Sequence, residues 1–244
     1  MKRHVFTLAP FPAGTTWSLR LPSLVQQMVR VLKLRIGEEV QFVDGKGART
    51  VAEVVGYSEQ SVEVRVIPGV MESAGASPAA HPARRSVVCA AILKKDHFEW
   101  LTEKLAELGV SDLVPLVTAR TIKKEVKLDR LETIAREAME QSEQARAMTV
   151  HPPTDVMGAI RLLARLGVKA VVADTEKGLS SIAEALASHG AKAIFIGPEG
   201  GWSNEERAFF EKECGLPRVS LGTAILRGET AGIVAGYELG RKRV

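Results

Sequence analysis

Two stretches near the C-terminus carry the residues most suited to chemistry. The first, residues 194–206, reads IFIGPEGGWSNEE: an apolar run, the turn Gly197-Pro198-Glu199-Gly200-Gly201, then Ser203 and Glu206 at S-x-x-E spacing. In that spacing Ser203 and Glu206 satisfy each other's backbone N–H groups, which predicts a helix from Asn204. Strand, glycine turn and helix N-terminus in succession place a ligand at the carboxyl end of a parallel sheet. Glycine lets that ligand reach main-chain groups with no Cβ in the way. Glu199 would repel a phosphate, and the chain has neither GxGxxG nor GxxxxGK[ST]. The turn therefore suits a ligand that is neutral or cationic and gripped mainly by backbone. A tight strand-to-helix connection with no ligand is the plainer alternative.

The second stretch, residues 218–240, reads RVSLGTAILRGETAGIVAGYELG. Leu221-Gly222 ends a strand, a loop sets apolar Ile225 and Leu226 beside Arg227 and Glu229, and a helix is expected to begin near Thr230. Ala231, Gly232, Ala235 and Gly236 fall at i, i+4 spacing, which allows close approach of another backbone. Glycine costs a helix about 1 kcal/mol against alanine, so something must pack tightly there. Arg227 and Glu229 also admit a plain reading as a loop ion pair.

The elements that would position these residues fall into two groups. Over the first 70 residues, HVFTL, TWSLRL, EVQFVD, RTVAEVVGY and SVEVRVI read as short strands, with a hairpin signal at Asp44-Gly45-Lys46-Gly47 and one helix over 23–33. This predicts a small β-barrel-like module over 1–70. Residues 68–85 are rich in Pro, Ala, Gly and Ser without a hydrophobic period, and a linker is placed at 71–85. From 86 to 244 strand and helix alternate: SVVCAAIL, DHFEWLTEKLAELG, DLVPLVT, LDRLETIAREAMEQS, a helix over 154–166, KAVVAD, SIAEALASHG, AKAIFIG, SNEERAFFEKEC, RVSLG and TAGIVAGYELG. That order predicts an α/β domain with a largely parallel sheet, its short uniformly apolar strands covered by helices on both faces.

Composition narrows the class. Of 244 residues, 45% are hydrophobic and 25% charged, which suits a folded globular protein. No apolar run reaches the roughly 18–20 residues a membrane span needs, and Pro10 and Pro12 break the only N-terminal candidate for a signal peptide, so a cytoplasmic protein is expected. Cys89 and Cys214 lie far apart with no CxxC, and the five histidines show no ligand spacing, so neither a disulfide nor a metal is expected. The net charge is +4 and the isoelectric point near 9.1, with basic residues grouped at 84–85, 94–95, 120–127 and 241–243. Such groups suit an anionic partner or a set of solvated faces.

Taken together, IGPEGGWSNEE and LGTAILRGETA resemble the paired signatures of the bacterial 16S ribosomal RNA (uracil-N3) methyltransferase family, in the SPOUT class of knotted methyltransferases. RVLKLRIGEEVQFVDGKG (30–47) resembles that family's RVLRxxxGxxxxxFDG. LKKDHFEWLTEKLAELGVSDLVPL (93–116) resembles its QKxxELGVxxxxPL segment, and EAMEQS (137–142) its EAxEQS. The departures are Gln27, Lys33 and Gln144, where the family commonly carries histidine or arginine.

The resemblance implies an N-terminal PUA-like barrel that grips RNA, a C-terminal domain with a deep trefoil knot, a homodimer, and S-adenosylmethionine held among the knot loops. Its cofactor site would map to Thr175, Ile196, Gly197, Pro198, Glu199, Gly200, Gly201, Leu221, Gly222, Ile225, Leu226, Arg227 and Thr230. The partner would be 16S ribosomal RNA in the small ribosomal subunit. N3 of uridine is protonated at neutral pH, so it must lose a proton while a cation steadies the charge spreading onto the flanking carbonyls. Arg227 is the candidate for that stabilisation, and Glu229 either orients it or acts as base, with Glu199 and Glu140 as weaker candidates. Arg3, Arg30, Lys33, Lys94, Lys104, Arg120, Lys124, Glu140 and Gln141 are the candidate RNA contacts. Trp202 is read either as a cover for base or cofactor or as packing. A SPOUT enzyme with another target nucleotide, and a non-catalytic RNA-binding assembly factor, are the competing readings.

Overall fold

The computed structural model describes residues 3–58, 60–69, 85–94 and 96–241. Nearly all of the expected linker, 71–84, lies outside these residues. Two compact units are present: Met1–Pro82 with Met139–Ala147, and Ala83–Ala138 with Met148–Val244.

The first unit is built on five short strands, β1 (His4–Thr7), β2 (Thr16–Leu19), β3 (Glu39–Val43), β4 (Arg49–Tyr57) and β5 (Val62–Val66), in one sheet ordered β1-β3-β4-β5-β2. The alternation read in the sequence is real: in β2 and β5 every second residue is buried. Phe6, Trp17, Phe42 and Met28 fill the core beneath. Helix α1 (Pro22–Val25) continues as wider π turns over Gln26–Val31 and stops where Lys33 takes φ 51°, a left-handed conformation that ends a helix. At the β3–β4 turn the Asp44 carboxylate accepts the N–H groups of Lys46 and Ala48.

One boundary differs from the sequence reading. Residues Met139–Ala147 belong with this first unit, whereas the sequence pattern places them in the later domain. Local bonds show why: the Glu140 carboxylate accepts the N–H of Thr7 at 3.0 Å, and backbone bonds join Gly45 and Gly47 to Ala147 and Ala145.

The second unit is an α/β sandwich. Strands β6 (Val87–Ala91), β7 (Asp112–Leu116), β8 (Thr149–Val150), β9 (Ala170–Ala173), β10 (Ala193–Ile196) and β11 (Arg218–Val219) form one sheet, ordered β11-β9-β10-β6-β7-β8, with parallel pairing throughout. Every residue of β6, β7 and β10 is buried, as a sheet covered on both faces requires. The helices are α2 (His97–Glu107), α3 (Leu128–Gln141, whose residues up to 138 lie in this unit), α4 (Val156–Arg165), α5 (Ile182–His189), α6 (Asn204–Ala208), which runs on as π turns over Phe209–Glu213, and α7 (Gly228–Gly240). Strand β8 has no counterpart in the sequence pattern, because its two residues ahead of His151-Pro152-Pro153 carry no periodic signal.

The small-residue face of α7 has a definite partner. A Cβ on Gly228, Gly232 or Gly236 would fall 2.6 Å from Leu93 Cδ2, 2.6 Å from Leu101 Cδ1 and 2.5 Å from Leu105 Cδ2 respectively. At these three glycines the close approach is therefore made by leucine side chains, largely those of α2, within the unit's own core, and at Gly240 the nearest atom is the backbone carbonyl of Leu108 at 3.4 Å.

Candidate functional site

The cavity forms where three βα connections leave the carboxyl ends of neighbouring parallel strands. Residues 173–179 after β9, 196–202 after β10 and 220–228 after β11, with Arg207 and Ala231, enclose about 810 Å³. This lies within the roughly 300–1,000 Å³ typical of small-molecule sites, at the end of the sheet where α/β proteins bind ligands.

Each wall has a local reason for its shape. The capping box expected from the sequence is present: the Ser203 hydroxyl accepts the Glu206 N–H at 3.1 Å, and Glu206 accepts the Ser203 N–H at 2.8 Å. In the turn before it Gly201 takes φ 68° and its N–H bonds to the Pro198 carbonyl at 2.8 Å. A Cβ on Gly197 would lie 3.1 Å from the ring of Trp202, close enough that the buried ring would have to shift by a few tenths of an ångström. Trp202 itself is 1% exposed and donates its indole N–H to the Ala173 carbonyl at 2.9 Å. It is packing that ties the second wall to the first. In the third wall Ser220 Oγ bridges to Gly222, donating to its carbonyl at 2.8 Å and accepting its N–H at 3.2 Å.

Beneath the first wall sits a charge network that local patterning did not reveal. Asp174, its side chain 2% exposed, accepts from Arg207 Nε at 2.8 Å, from Arg218 Nη1 at 3.5 Å and from the Thr175 N–H at 2.7 Å. Burial pushes the Asp174 carboxyl up, but the hydrogen bonds from Arg207, Thr175 and Arg218 outweigh it and hold the group below the usual carboxylate range. Arg218 also pairs with Glu176. The Arg207 and Arg218 guanidinium groups are thus already bonded to carboxylates, while Lys177 on the same wall is exposed. An aspartate closing the apolar run KAVVAD at a strand's carboxyl end was the available signal.

Of the residues singled out in the sequence, Thr175, Ile196, Gly197, Pro198, Glu199, Gly200, Gly201, Leu221, Gly222, Ile225, Leu226 and Arg227 line this one cavity. Thr230 does not; it is half-buried in the first turn of α7. Ile225 is 83% exposed and Arg227 is exposed, both on the lining, and no ion pair of Arg227 is found among the described residues. Glu229 is not on the cavity wall. It is 7% exposed, and its carboxylate stands 3.1 Å from His97 Nδ1 at the start of α2. An Arg227–Glu229 ion pair is therefore absent; Glu229 instead ties the starts of α7 and α2 together.

The remaining candidates are dispersed. Arg30, Lys33, Lys94, Lys124 and Gln141 are exposed. Arg3 pairs with Glu39 at 2.6 Å, and Lys104 with both Glu103 and Glu107 at 2.7 Å. Arg120 donates to the Gly200 carbonyl at 2.7 Å. Glu140 sits in the first unit, bonded to β1. Among the described residues no group of histidine, cysteine or acidic side chains is arranged to hold a metal ion, and no helix is long and apolar enough to cross a membrane.

A parallel α/β sheet with a cavity at its carboxyl edge is where domains of this class bind small ligands, and residues 80–238 match the family model of the RNA methyltransferase domain. The chain belongs to that family. Among its relatives, ribosomal RNA small subunit methyltransferase E of Bacillus subtilis is 27% identical over 86% of this chain and 84% of its own. The Rickettsia conorii protein of the same name is 24% identical over the same shares. The crystal structure of ribosomal RNA small subunit methyltransferase E from Neisseria gonorrhoeae, bound to S-adenosyl methionine, superposes with a TM-score of 0.79 at 25% identity, covering 96% of this chain and 95% of that one.

Proposed function

We propose that this protein transfers a methyl group from S-adenosylmethionine to N3 of a uridine in 16S ribosomal RNA of the small subunit. The observation that carries the reading is a cavity of about 810 Å³ whose walls are the two glycine-bearing loops and the segment that ends β9. Its lining fits the donor. Backbone carbonyl and N–H groups of 196–201 and 220–224 suit an adenine and a ribose, Ile225 and Leu226 suit an apolar ring face, and exposed Glu199 suits a cation over a phosphate. The relatives named as ribosomal RNA small subunit methyltransferases support methylation of small-subunit ribosomal RNA, and the choice of uridine N3 rests on the resemblance of the loop signatures.

When bound, the donor supplies an electrophilic methyl on a sulfonium. The chain's own residues must hold uridine N3 in line with that carbon and steady the uracil anion. Arg227, exposed on the cavity wall and N-cap of α7, is proposed to do the second task. Glu229, buried against His97, is proposed as a positioning residue that fixes the start of α7 so that Arg227 faces the cavity. Of the two other carboxylates considered as base, Glu199 lies on the cavity wall and Glu140 is bonded to the N–H of Thr7 in the first unit.

N3 lies on the Watson–Crick edge, so the target must be unpaired or splayed out. Arg30, Lys33, Lys94 and Lys124 are proposed phosphate contacts. We further propose that the first unit is a PUA-like RNA-binding barrel. The chain after β11 is proposed to thread a trefoil knot, a reading supported by α7 lying against α2 while its leading loop shares a cavity with the loop after β10. The protein is proposed to act in the cytoplasm as a homodimer.

Tritiated-methyl transfer to unmethylated small subunits tests the reading. Wild type should produce N3-methyluridine, and Arg227→Ala should lose at least about 100-fold in turnover, as removal of one charge-stabilising donor does, with donor affinity changed only a few-fold. Absence of product from wild type overturns the function; unchanged turnover in the variant removes Arg227 from the chemistry.

A further inference from the structure

The short segment after β7 does more than lead into α3. Thr118 and Thr121, both 6% exposed, close a tight turn in which Thr121 Oγ1 accepts the Thr118 N–H at 2.9 Å and lies 2.8 Å from Thr118 Oγ1. That turn presents two groups to the loop after β10. The Ala119 N–H donates to Glu206 Oε1 at 2.8 Å, while the other oxygen of Glu206 caps Ser203. Arg120 Nη1 donates to the Gly200 carbonyl at 2.7 Å. Gly200 also touches the stem of Arg120: a Cβ there would stand 3.4 Å from Arg120 Cδ and 3.5 Å from its Cβ.

A charged donor to a carbonyl is among the stronger hydrogen bonds, and the Gly200 carbonyl would otherwise end an exposed turn with two glycines and little side chain to hold it. Gly201, next in line, keeps φ 68° through one bond to Pro198. The turn's geometry therefore rests on the 118–121 segment as much as on its own residues.

We propose that Arg120 is a positioning residue for the donor-binding loop and not a phosphate contact. Its guanidinium clamps the Gly200 carbonyl and fixes the direction of the main-chain groups of 197–201 that face the cavity. This inference rests on the reading of that cavity as the S-adenosylmethionine site.

The test uses the full-length protein without RNA. Arg120→Met keeps the stem over Gly200 but removes every donor, and Arg120→Lys keeps one charged donor. Titration calorimetry with S-adenosylmethionine should show Kd raised about 5–10-fold in Arg120→Met, the equivalent of losing one net hydrogen bond of about 1–1.5 kcal/mol, and a smaller rise in Arg120→Lys. Amide exchange of residues 199–202 in the donor-free protein should quicken in Arg120→Met, while circular dichroism shows the fold intact. The RNA affinity of Arg120→Met should keep the wild-type salt slope. Unchanged donor affinity in Arg120→Met, or a salt slope reduced by about one, overturns the proposal. Should wild type bind no donor, the functional reading fails, and unchanged amide exchange would then overturn the clamp separately.

Discussion

Replacing Gly232 with alanine tests how α7 is held, and the outcome can be worked from contacts. The new Cβ would stand 2.6 Å from Leu101 Cδ1 and 3.2 Å from Cδ2, where carbon atoms prefer about 3.5–4.0 Å. Leu101 is 0% exposed, so its terminal methyls must retreat by about 1 Å within a close-packed core. Overpacking of this kind costs about 1–3 kcal/mol, and two methyl contacts from a fully buried leucine place it in the upper half. Alanine returns about 1 kcal/mol of helix propensity. The net is a loss of about 1–2 kcal/mol, which in a chain of this size lowers Tm by roughly 3–6 °C. Leu101→Ala alone should cost about 2–5 kcal/mol. In that background the same glycine replacement should become neutral or stabilising, because the methyl enters vacated space. Thermal melts followed by far-UV circular dichroism on the four proteins of this cycle give the coupling directly. A Gly232→Ala protein that melts at or above wild type, with the same effect in the Leu101→Ala background, would refute the packing argument and the anchoring of the cavity's third wall with it.

Other consequences are accessible to simpler measurements. Burial pushes the Asp112 carboxyl up, but the hydrogen bonds from His151 at 2.8 Å and Arg85 at 2.6 and 2.7 Å bring it below the usual range. Its stabilisation is therefore full above the unfolded value near pH 4 and is lost as pH falls through the lower folded value. Asp112→Asn should cost about 1–3 kcal/mol at pH 7 and less at pH 3, read from urea midpoints at both. Trp202→Phe removes the indole bond to Ala173 and should cost about 1–2 kcal/mol while weakening donor affinity, measured by calorimetry. Arg207→Met breaks the bond between α6 and the end of β9; a protease-susceptibility assay should show faster cleavage between 174 and 207, slowed by the donor. Glu229→Gln should reduce methyl transfer more than donor affinity, and His97→Ala should reproduce that pattern; a variant at either position with wild-type turnover removes the pair from its positioning role.

What the sequence could state was whatever is written in local pattern. The parallel α/β order, the capping box at Ser203 and Glu206, and the two glycine loops are each set by residues within a turn or two of one another, and the structure brings nearly all of those loop residues to one cavity. Side-chain pairings across the fold had no such signature. Nothing near Glu229 points to His97, nothing near Asp174 points to Arg207, and Arg120 among its lysines reads as one more solvated cation. The same blindness hid the attachment of Met139–Ala147 to the first unit, since the bond from Thr7 to Glu140 joins residues that share no local motif.

The glycines of α7 show how such a gap changes the functional argument. Their spacing announces a tightly packed face but not its partner, and an interface or a threaded backbone would have satisfied it equally. The partner is leucine: Leu93 against Gly228, Leu101 against Gly232, Leu105 against Gly236. Gly228 stands both on the cavity wall and against Leu93, just before the Glu229–His97 pair. The loop that carries Arg227 is thereby held at two consecutive residues, by Leu93 ahead of α2 and by His97 at its start. A change in α2 that never touches donor or RNA should then alter turnover, because it moves the end of that loop nearest Arg227.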